Sequence, residues 1–286
     1  MKSSSFWLHR LAILGVILLA FGLRLHYLTL YSFHIDEFFT LAAAKFITET
    51  GTPTYPTGLF YDPGLPYSYF VASLFQATGD FSEAVGRWPA VLFGTLAVGT
   101  LYGAGLRITG IRGIALLATL FLAINPEAVE WGGRVRMITL AQWLAILSVG
   151  LLWLGLRQNS TRHRILFAVS NGLTLLTHFS TVVLLPAWFV VTVAFVWLRV
   201  IPITRTLIRD GVIIILIAGI ALSSGVIFQP PPSVEFQTSE AGLDAKVGLL
   251  SNKFLQIPSD LGHGWKSYGP YYIDPPHLFV TILALL

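Results

Sequence analysis

The sequence predicts an all-α integral membrane protein, a multi-pass helical bundle with two long loops on one side. Of its 286 residues, 55% are hydrophobic and 11% are charged, whereas soluble domains carry about 25% charged residues. The apolar residues are grouped in runs long enough to cross a bilayer. Basic residues concentrate in alternate connections between these runs. There is no cysteine, which excludes a disulfide framework and a thiolate site.

Seven apolar segments are predicted to span the membrane, and an eighth begins near Leu278. They are residues 11–30, 87–106, 112–126, 137–156, 165–178, 180–198 and 211–228. The first follows a basic N-terminus and has no small-residue cleavage site, so it is predicted to be an uncleaved anchor rather than a signal peptide. The last run, 278–286, is too short to cross, and we expect the protein to continue beyond it.

Residues 165–198 allow two interpretations, two short helices that turn at His178 or one tilted helix. With two helices and a cytoplasmic N-terminus, the inner connections contain ten basic residues and one acid, Asp210. The positive-inside rule therefore favours two helices and this orientation. The basic residues are Lys2, Arg10, Arg107, Arg112, Arg157, Arg162, Arg164, Arg199, Arg205 and Arg209.

This topology places residues 31–86, a short turn at 125–136 and residues 229–277 outside the cytoplasm. Connections of roughly fifty residues are unusually long and typical of functional loops. We therefore expect a plasma (inner) membrane protein whose working surface is extracytoplasmic. The sequence pI of about 9.4 does not indicate nucleic-acid binding, because the basic residues are scattered in short loops.

An adjacent acid pair, Asp36 and Glu37, follows the first predicted span and is the candidate catalytic pair. Residues 38–48 show helical spacing of apolar side chains, which predicts an amphipathic helix along the interface. The pair is then either a cap favoured by the helix dipole or a general base at the membrane surface. A divalent metal at the pair is an open alternative, although two adjacent acids are a weak metal signature.

Four arginines occur where the charge rule does not expect them, at the outer boundary or in the outer turn. These are Arg24, Arg87, Arg134 and Arg136. They could bind a lipid phosphate through bidentate hydrogen bonds, or pair with acids such as Glu37 and Glu130 as structure. His178 is a further candidate, although a single histidine in an apolar stretch is more often a packing residue.

The two long loops have compositions that do not decide their role. Residues 51–66 are rich in proline and aromatic residues, typical of an interfacial belt or of a sugar- or lipid-binding surface. Residues 229–277 contain the lysines 246, 253 and 266 and could cover a site. Gly99 and Gly103 form a small-xxx-small step that predicts close helix packing.

Several motifs together resemble the multi-pass glycosyltransferases that use polyprenyl-phosphate sugars, the dolichyl-phosphate-mannose protein mannosyltransferase and aminoarabinose-transferase-like group with the GT-C fold. They are Arg24, Asp36-Glu37, Pro63 to Pro66, Gly86-Arg87-Trp88-Pro89 with Gly94, Trp131 to Leu140, and Thr177-His178-Phe179. The resemblance covers essentially the whole chain, although each motif is short. The family often has a glutamate at the position of Arg134, so an acid role there would fall to Glu127 or Glu130.

The resemblance implies an inverting sugar transfer with Asp36 as the base that deprotonates the acceptor. The donor phosphate would be bound by some of Arg24, Arg87, Arg136, His178 and the loop lysines. The partners implied are a polyprenyl-phosphate sugar and a lipid, glycan or protein acceptor, with no nucleotide cofactor. A flippase for lipid-linked sugars is the alternative, but it would need ionisable groups near mid-bilayer and usually related halves. A structural scaffold would leave the acid pair and the outer arginines unexplained.

Overall fold

The computed structural model describes residues 2–30 and 32–227, and within them the chain is helical. The helices are α1 (Lys2–Tyr27), α2 (Ile35–Thr50), α3 (Leu65–Thr78), α4 (Glu83–Thr109), α5 (Arg112–Ile124), α6 (Pro126–Trp131), α7 (Ile138–Arg157), α8 (Thr161–Thr177), α9 (Leu184–Trp197) and α10 (Arg205–Ile227). The fold class is confirmed. The predicted outer loop at 229–277, its lysines and the span near Leu278 lie outside the described residues.

Five helical segments in the described chain are long and apolar enough to cross a membrane. They are Trp7–Tyr27, α4, α7, Ser180–Trp197 and Arg205–Ser223. The predicted spans at 112–126 and 165–178 form the helices α5 and α8, of 13 and 17 residues. At 1.5 Å per residue, α5 reaches about 20 Å and does not cover a hydrocarbon core of about 30 Å by itself.

The ambiguous segment at 165–198 forms two helices that turn at His178, as the charge argument predicted. His178 has an extended backbone, with φ −150° and ψ 114°, and caps the C-terminus of α8. A short 3-10 helix, Phe179–Val183, then leads into α9.

Helix α4 lies at the centre of the bundle and packs against α1, α3, α5 and α7, while α8 joins α7 to α10. Small residues permit the closest approaches. A Cβ added to Gly150 of α7 would lie 3.1 Å from the Cβ of Ala104 in α4. Of the two glycines predicted to serve helix packing, Gly99 faces Ile17 of α1, whereas the nearest group to Gly103 is its own helix neighbour Arg107.

The long connection between α1 and α4 is folded into two helices. The amphipathic helix predicted at 38–48 is confirmed as α2. Helix α3 was not predicted; it begins after Gly64 and ends at Gly79, both in the left-handed conformation that favours glycine. Its buried face, centred on Tyr67 and Phe75, packs against the hydrophobic core that includes Val135.

The opposite end of the bundle is closed by a buried ion pair between α8 and α10. Arg164 Nε lies 2.8 Å from Asp210 Oδ2, and the two side chains are 1% and 0% exposed. Arg209 binds the other carboxylate oxygen at 2.8 Å. Asp210, the single acid predicted on the inner side, is therefore used as structure.

Candidate active site

The N-terminus of α2 is built as a capping box. The backbone N–H of His34 donates to Glu37 Oε2 at 3.0 Å, and the backbone N–H of Asp36 contacts His34 Nδ1 at 3.3 Å. These reciprocal bonds satisfy donors that a helix start leaves unpaired. The cap fixes where α2 begins and which way its first two acids point.

Glu37 is completely buried and accepts four hydrogen bonds. Arg87 of α4 binds both carboxylate oxygens at 3.0 Å through Nε and Nη2. The backbone N–H of Val135 adds a bond of 2.8 Å, and that of His34 completes the set. Burial alone would raise the pKa of Glu37, but the bonds from Arg87, Val135 and His34 outweigh it and lower the pKa below its ordinary value of 4.5.

Arg87 is also buried, at 3% exposure, and has further partners. Its Nη1 donates to the carbonyl of Leu28 at 2.6 Å, and Nη2 contacts Glu83 one turn earlier in α4. The pair Glu37–Arg87 therefore connects the end of α1, the start of α2, α4 and the turn before α7. These contacts support the structural interpretation of both residues that the sequence left open.

Asp36 differs from its neighbour Glu37 because its carboxylate is exposed to solvent. Its side chain is 42% exposed, and its Oδ2 lies 3.4 Å from Arg136 Nη2. Arg136 Nη1 also approaches the backbone carbonyl of Asp36 at 3.5 Å. His34 Nδ1 is 3.8 Å from the carboxylate. Asp36 is thus a carboxylate held at the surface of this end of the bundle, beside one cation and open to solvent.

Arg136 and His178 lie near each other on this side. Burial lowers the pKa of His178, and the positive charge of Arg136 lowers it further. Both effects favour the uncharged form of His178, in which one ring nitrogen can donate a hydrogen bond. Arg136 is 16% exposed, and in residues 2–30 and 32–227 its buried Nε has no hydrogen-bond partner.

Arg24 of α1 is fully buried below the turn at 132–136. It occupies space left by two glycines, since a Cβ at Gly94 or Gly132 would lie 2.6 Å from its side chain. One nitrogen, Nη1, donates to the carbonyls of Ala20 and Ala123 at 3.1 and 3.4 Å. Its Nε and Nη2 have no partner in the described part of the chain.

The predicted site residues therefore fall into three groups at one end of the bundle. The first group lies at or near the surface, where a substrate can reach it, and consists of Asp36, Arg136 and His178. Glu37 and Arg87 are buried and bonded to each other, and Arg24 is buried beneath them. The other outer arginine, Arg134, pairs with Glu130 at 2.9 Å, so Glu130 is committed to that pair.

Two contributors to the site were not predicted. The backbone N–H of Val135 binds Glu37, and no side-chain pattern could indicate it. The hydroxyl of Thr139 is buried next to the Gly94–Arg24 contact and has no partner in the described residues. In the same residues, no cluster of three or more histidine, aspartate or glutamate side chains is arranged to hold a metal ion.

The fold is that of the GT-C membrane glycosyltransferases. It is similar to the crystal structure of the Archaeoglobus fulgidus oligosaccharyltransferase tethered through a disulfide bond to an acceptor peptide with the NVT sequon, with a TM-score of 0.55 and 14% sequence identity. The match covers 94% of this chain and 40% of that chain, so this chain spans well under half of that protein's length.

Residues 62–224 match the family model described as dolichyl-phosphate-mannose-protein mannosyltransferase, and the chain belongs to this family of membrane glycosyltransferases. The predicted family resemblance is confirmed. Arg87, Arg136 and His178 fall inside the matched region, whereas Arg24 and the acid pair precede it. A search of curated proteins gave no match.

Proposed function

We propose that the chain transfers a sugar from a polyprenyl-phosphate donor to an extracytoplasmic acceptor, with inversion at the anomeric carbon. The donor lies in the leaflet next to the acid pair, and the acceptor is a lipid, glycan or protein. Asp36 is the general base. The membrane glycosyltransferase family and the GT-C fold support the reaction class.

The proposal that Asp36 is the base rests on the different burial and hydrogen bonding of the two acids. Glu37 is fully buried and its two oxygens are occupied by four donors, so it is not free to accept a proton from a substrate. Asp36 is 42% exposed and faces outward at the end of the same bundle. A general base must reach the proton that it removes within hydrogen-bonding distance, and of the two acids only Asp36 is accessible to an acceptor.

The reaction is a single displacement. As the acceptor oxygen or nitrogen forms its bond to the anomeric carbon, its proton moves to the Asp36 carboxylate. The bond between the anomeric carbon and the phosphate oxygen breaks, and the polyprenyl phosphate leaves with the electron pair. Because this leaving group is already activated, orientation and charge stabilisation supply most of the acceleration.

Arg136 is the residue that we expect to bind the donor phosphate, and to do so it must give up its contact with Asp36. Its Nη2 lies 3.4 Å from Asp36 Oδ2. In an inverting displacement, the leaving phosphate and the incoming acceptor occupy opposite faces of the sugar. Arg136 therefore releases Asp36 when it binds the phosphate. His178 assists as a neutral hydrogen-bond donor, and Arg24 supports the site from below.

The orientation proposed from the sequence puts this end of the bundle outside the cytoplasm. The opposite end contains Arg107, Arg157, Arg164 and Arg209, as the positive-inside rule requires of a cytoplasmic surface. Because the chain lacks cysteine, single cysteines can report this directly. An impermeant maleimide applied to intact cells should label Asp80→Cys, in the loop before α4, and not Gln158→Cys, at the far end of α7.

The decisive experiment compares sugar transfer by the wild type and by Asp36→Asn, with a radiolabelled polyprenyl-phosphate mannose as the probe. General base catalysis is worth about 10²- to 10⁴-fold, and we expect a loss in that range with donor binding retained. Glu49→Gln is the matched control, because Glu49 lies on the same helix with a side chain 50% exposed. Undiminished transfer by Asp36→Asn refutes the base role. Lipid movement across liposomes without any transfer identifies a flippase instead.

A further inference from the structure

A lateral groove runs along the bundle between α4 and α7, away from the acid pair. Its volume is about 640 Å³. Three glycines are among its lining residues, Gly99 and Gly103 of α4 and Gly150 of α7. Leucines of α4, α7 and α8 form its walls, so the surface is mostly apolar.

The groove is closed at one end by cations. Arg107 at the end of α4 and Arg162 and His163 in the first turn of α8 line it. In residues 2–30 and 32–227, neither guanidinium has a carboxylate within 4.0 Å. The N-terminus of α8 adds the positive end of its helix dipole. The apolar groove therefore ends in a positive site.

The dimensions of the groove match a lipid in one leaflet. Thr95 and Arg107 lie twelve positions apart on α4, about 18 Å at 1.5 Å per residue. One leaflet of hydrocarbon is about 15 Å thick. Arg87, which binds Glu37, lies twenty residues before Arg107 on the same helix, about 30 Å away. The positive site is therefore in the leaflet opposite to the acid pair and cannot belong to the donor site.

We propose that this groove binds an anionic glycerophospholipid, whose phosphate contacts Arg107 and Arg162 and whose acyl chain lies along the apolar lining. Two guanidinium groups at one end of the groove select a headgroup with a net negative charge over a zwitterionic one. Guanidinium binds phosphate through paired hydrogen bonds, which gives geometric preference as well as charge attraction. This inference does not depend on the proposed transfer reaction.

Native mass spectrometry of the purified full chain tests the proposal. The delipidated protein is titrated with phosphatidylglycerol and, separately, with phosphatidylcholine, and bound lipid is counted. Each basic residue near an anionic lipid surface contributes about fivefold in affinity, so Arg107→Gln with Arg162→Gln should reduce phosphatidylglycerol affinity about 25-fold. The control, Arg112→Gln with Arg205→Gln, removes two exposed arginines outside the groove and should change it little.

A second variant tests the groove without changing any charge. A Cβ at Gly99 would lie 3.7 Å from Ile17, an ordinary contact, so Gly99→Ala should fold and narrow the middle of the groove. We expect it to weaken the binding of phosphatidylglycerol. If Gly99→Ala binds the lipid as the wild type does, or if both arginine pairs matter equally, the attraction is general surface charge and the groove site is refuted. Equal retention of phosphatidylcholine refutes the anionic preference.

Discussion

Replacement of Glu37 by glutamine tests whether the second acid of the pair stabilises the fold. Four donors converge on its two oxygens: Arg87 Nε, Arg87 Nη2 and the backbone N–H groups of Val135 and His34. A glutamine side chain has nearly the same shape but a single acceptor oxygen. Its amide NH2 must therefore face two donors, whichever way the amide is oriented.

The cost follows from the bonds that are lost. In either orientation glutamine loses one bond to the Arg87 guanidinium and one to a backbone N–H. A bond to a charged group contributes about 1.5–3 kcal/mol and a neutral one about 1 kcal/mol. The sum, about 2.5–4 kcal/mol, overlaps the range of about 3–5 kcal/mol typical of breaking a buried ion pair by removing one partner. We expect Glu37→Gln to lower the free energy of unfolding by about this amount.

Equilibrium unfolding in mixed micelles, followed by fluorescence of the eight tryptophans, measures this change. Glu83→Gln is the matched control, because Glu83 contacts the same arginine but its side chain is 37% exposed. An exposed pair contributes at most about 1 kcal/mol, and the control should stay within that limit. A cost below about 1 kcal/mol for Glu37→Gln, or equal costs for both variants, refutes the structural role.

The same carboxylate predicts how stability depends on pH. The pKa of Glu37 is lower in the folded protein than its ordinary value of 4.5 in the unfolded chain. A group with a depressed folded pKa stabilises the protein above the unfolded pKa, and this contribution is lost as pH falls through the folded pKa. Stability of the wild type should therefore fall more steeply below pH 4.5 than stability of Glu37→Gln. Parallel acid titrations of the two proteins would contradict this assignment.

Three further predictions concern other parts of the molecule. Arg136→Gln should raise the KM for the donor about tenfold or more, with a smaller effect on kcat, because charge-assisted bonds to the phosphate are lost; steady-state kinetics measure the split. Asp210→Asn should lower the free energy of unfolding by about 3–5 kcal/mol and leave transfer unchanged below its unfolding temperature, since it breaks the buried pair with Arg164. Gly64→Ala should lower the free energy of unfolding by more than the roughly 1–2 kcal/mol that a left-handed alanine costs, because its Cβ would lie 2.7 Å from Met137 Cβ. Gly79 also has a positive φ but no neighbour within 4 Å of an added Cβ, so Gly79→Ala measures the backbone cost alone.

The sequence predicted the features that depend on local composition. Apolar runs located the helices that are long enough to span a membrane. The turn at His178 was also predicted, because two short helices satisfied the charge rule and one tilted helix did not. Helical spacing after the acid pair correctly predicted α2.

The features that were missed depend on contacts between distant parts of the chain. Helix α3 was overlooked because its aromatic and proline-rich start resembles a loop, and its helix is stabilised by burial of Tyr67 and Phe75 against the core. The different roles of Asp36 and Glu37 depend on Arg87, fifty residues away, and on a backbone N–H at Val135. Neither partner can be identified from the spacing of the two acids.

The four hydrogen-bond donors around the Glu37 carboxylate make the order of the two acids, Asp36 before Glu37, important. Neighbouring positions on a helix point about 100° apart, so one acid turns inward while the next turns outward. Transposing them to glutamate followed by aspartate would preserve composition and net charge. It would nevertheless place a side chain that is one methylene too short among the four donors around position 37, and one that is one methylene too long at exposed position 36. A protein with an identical inventory of atoms would then lose the contacts that hold α2 against α4, and the proposed proton acceptor would be displaced.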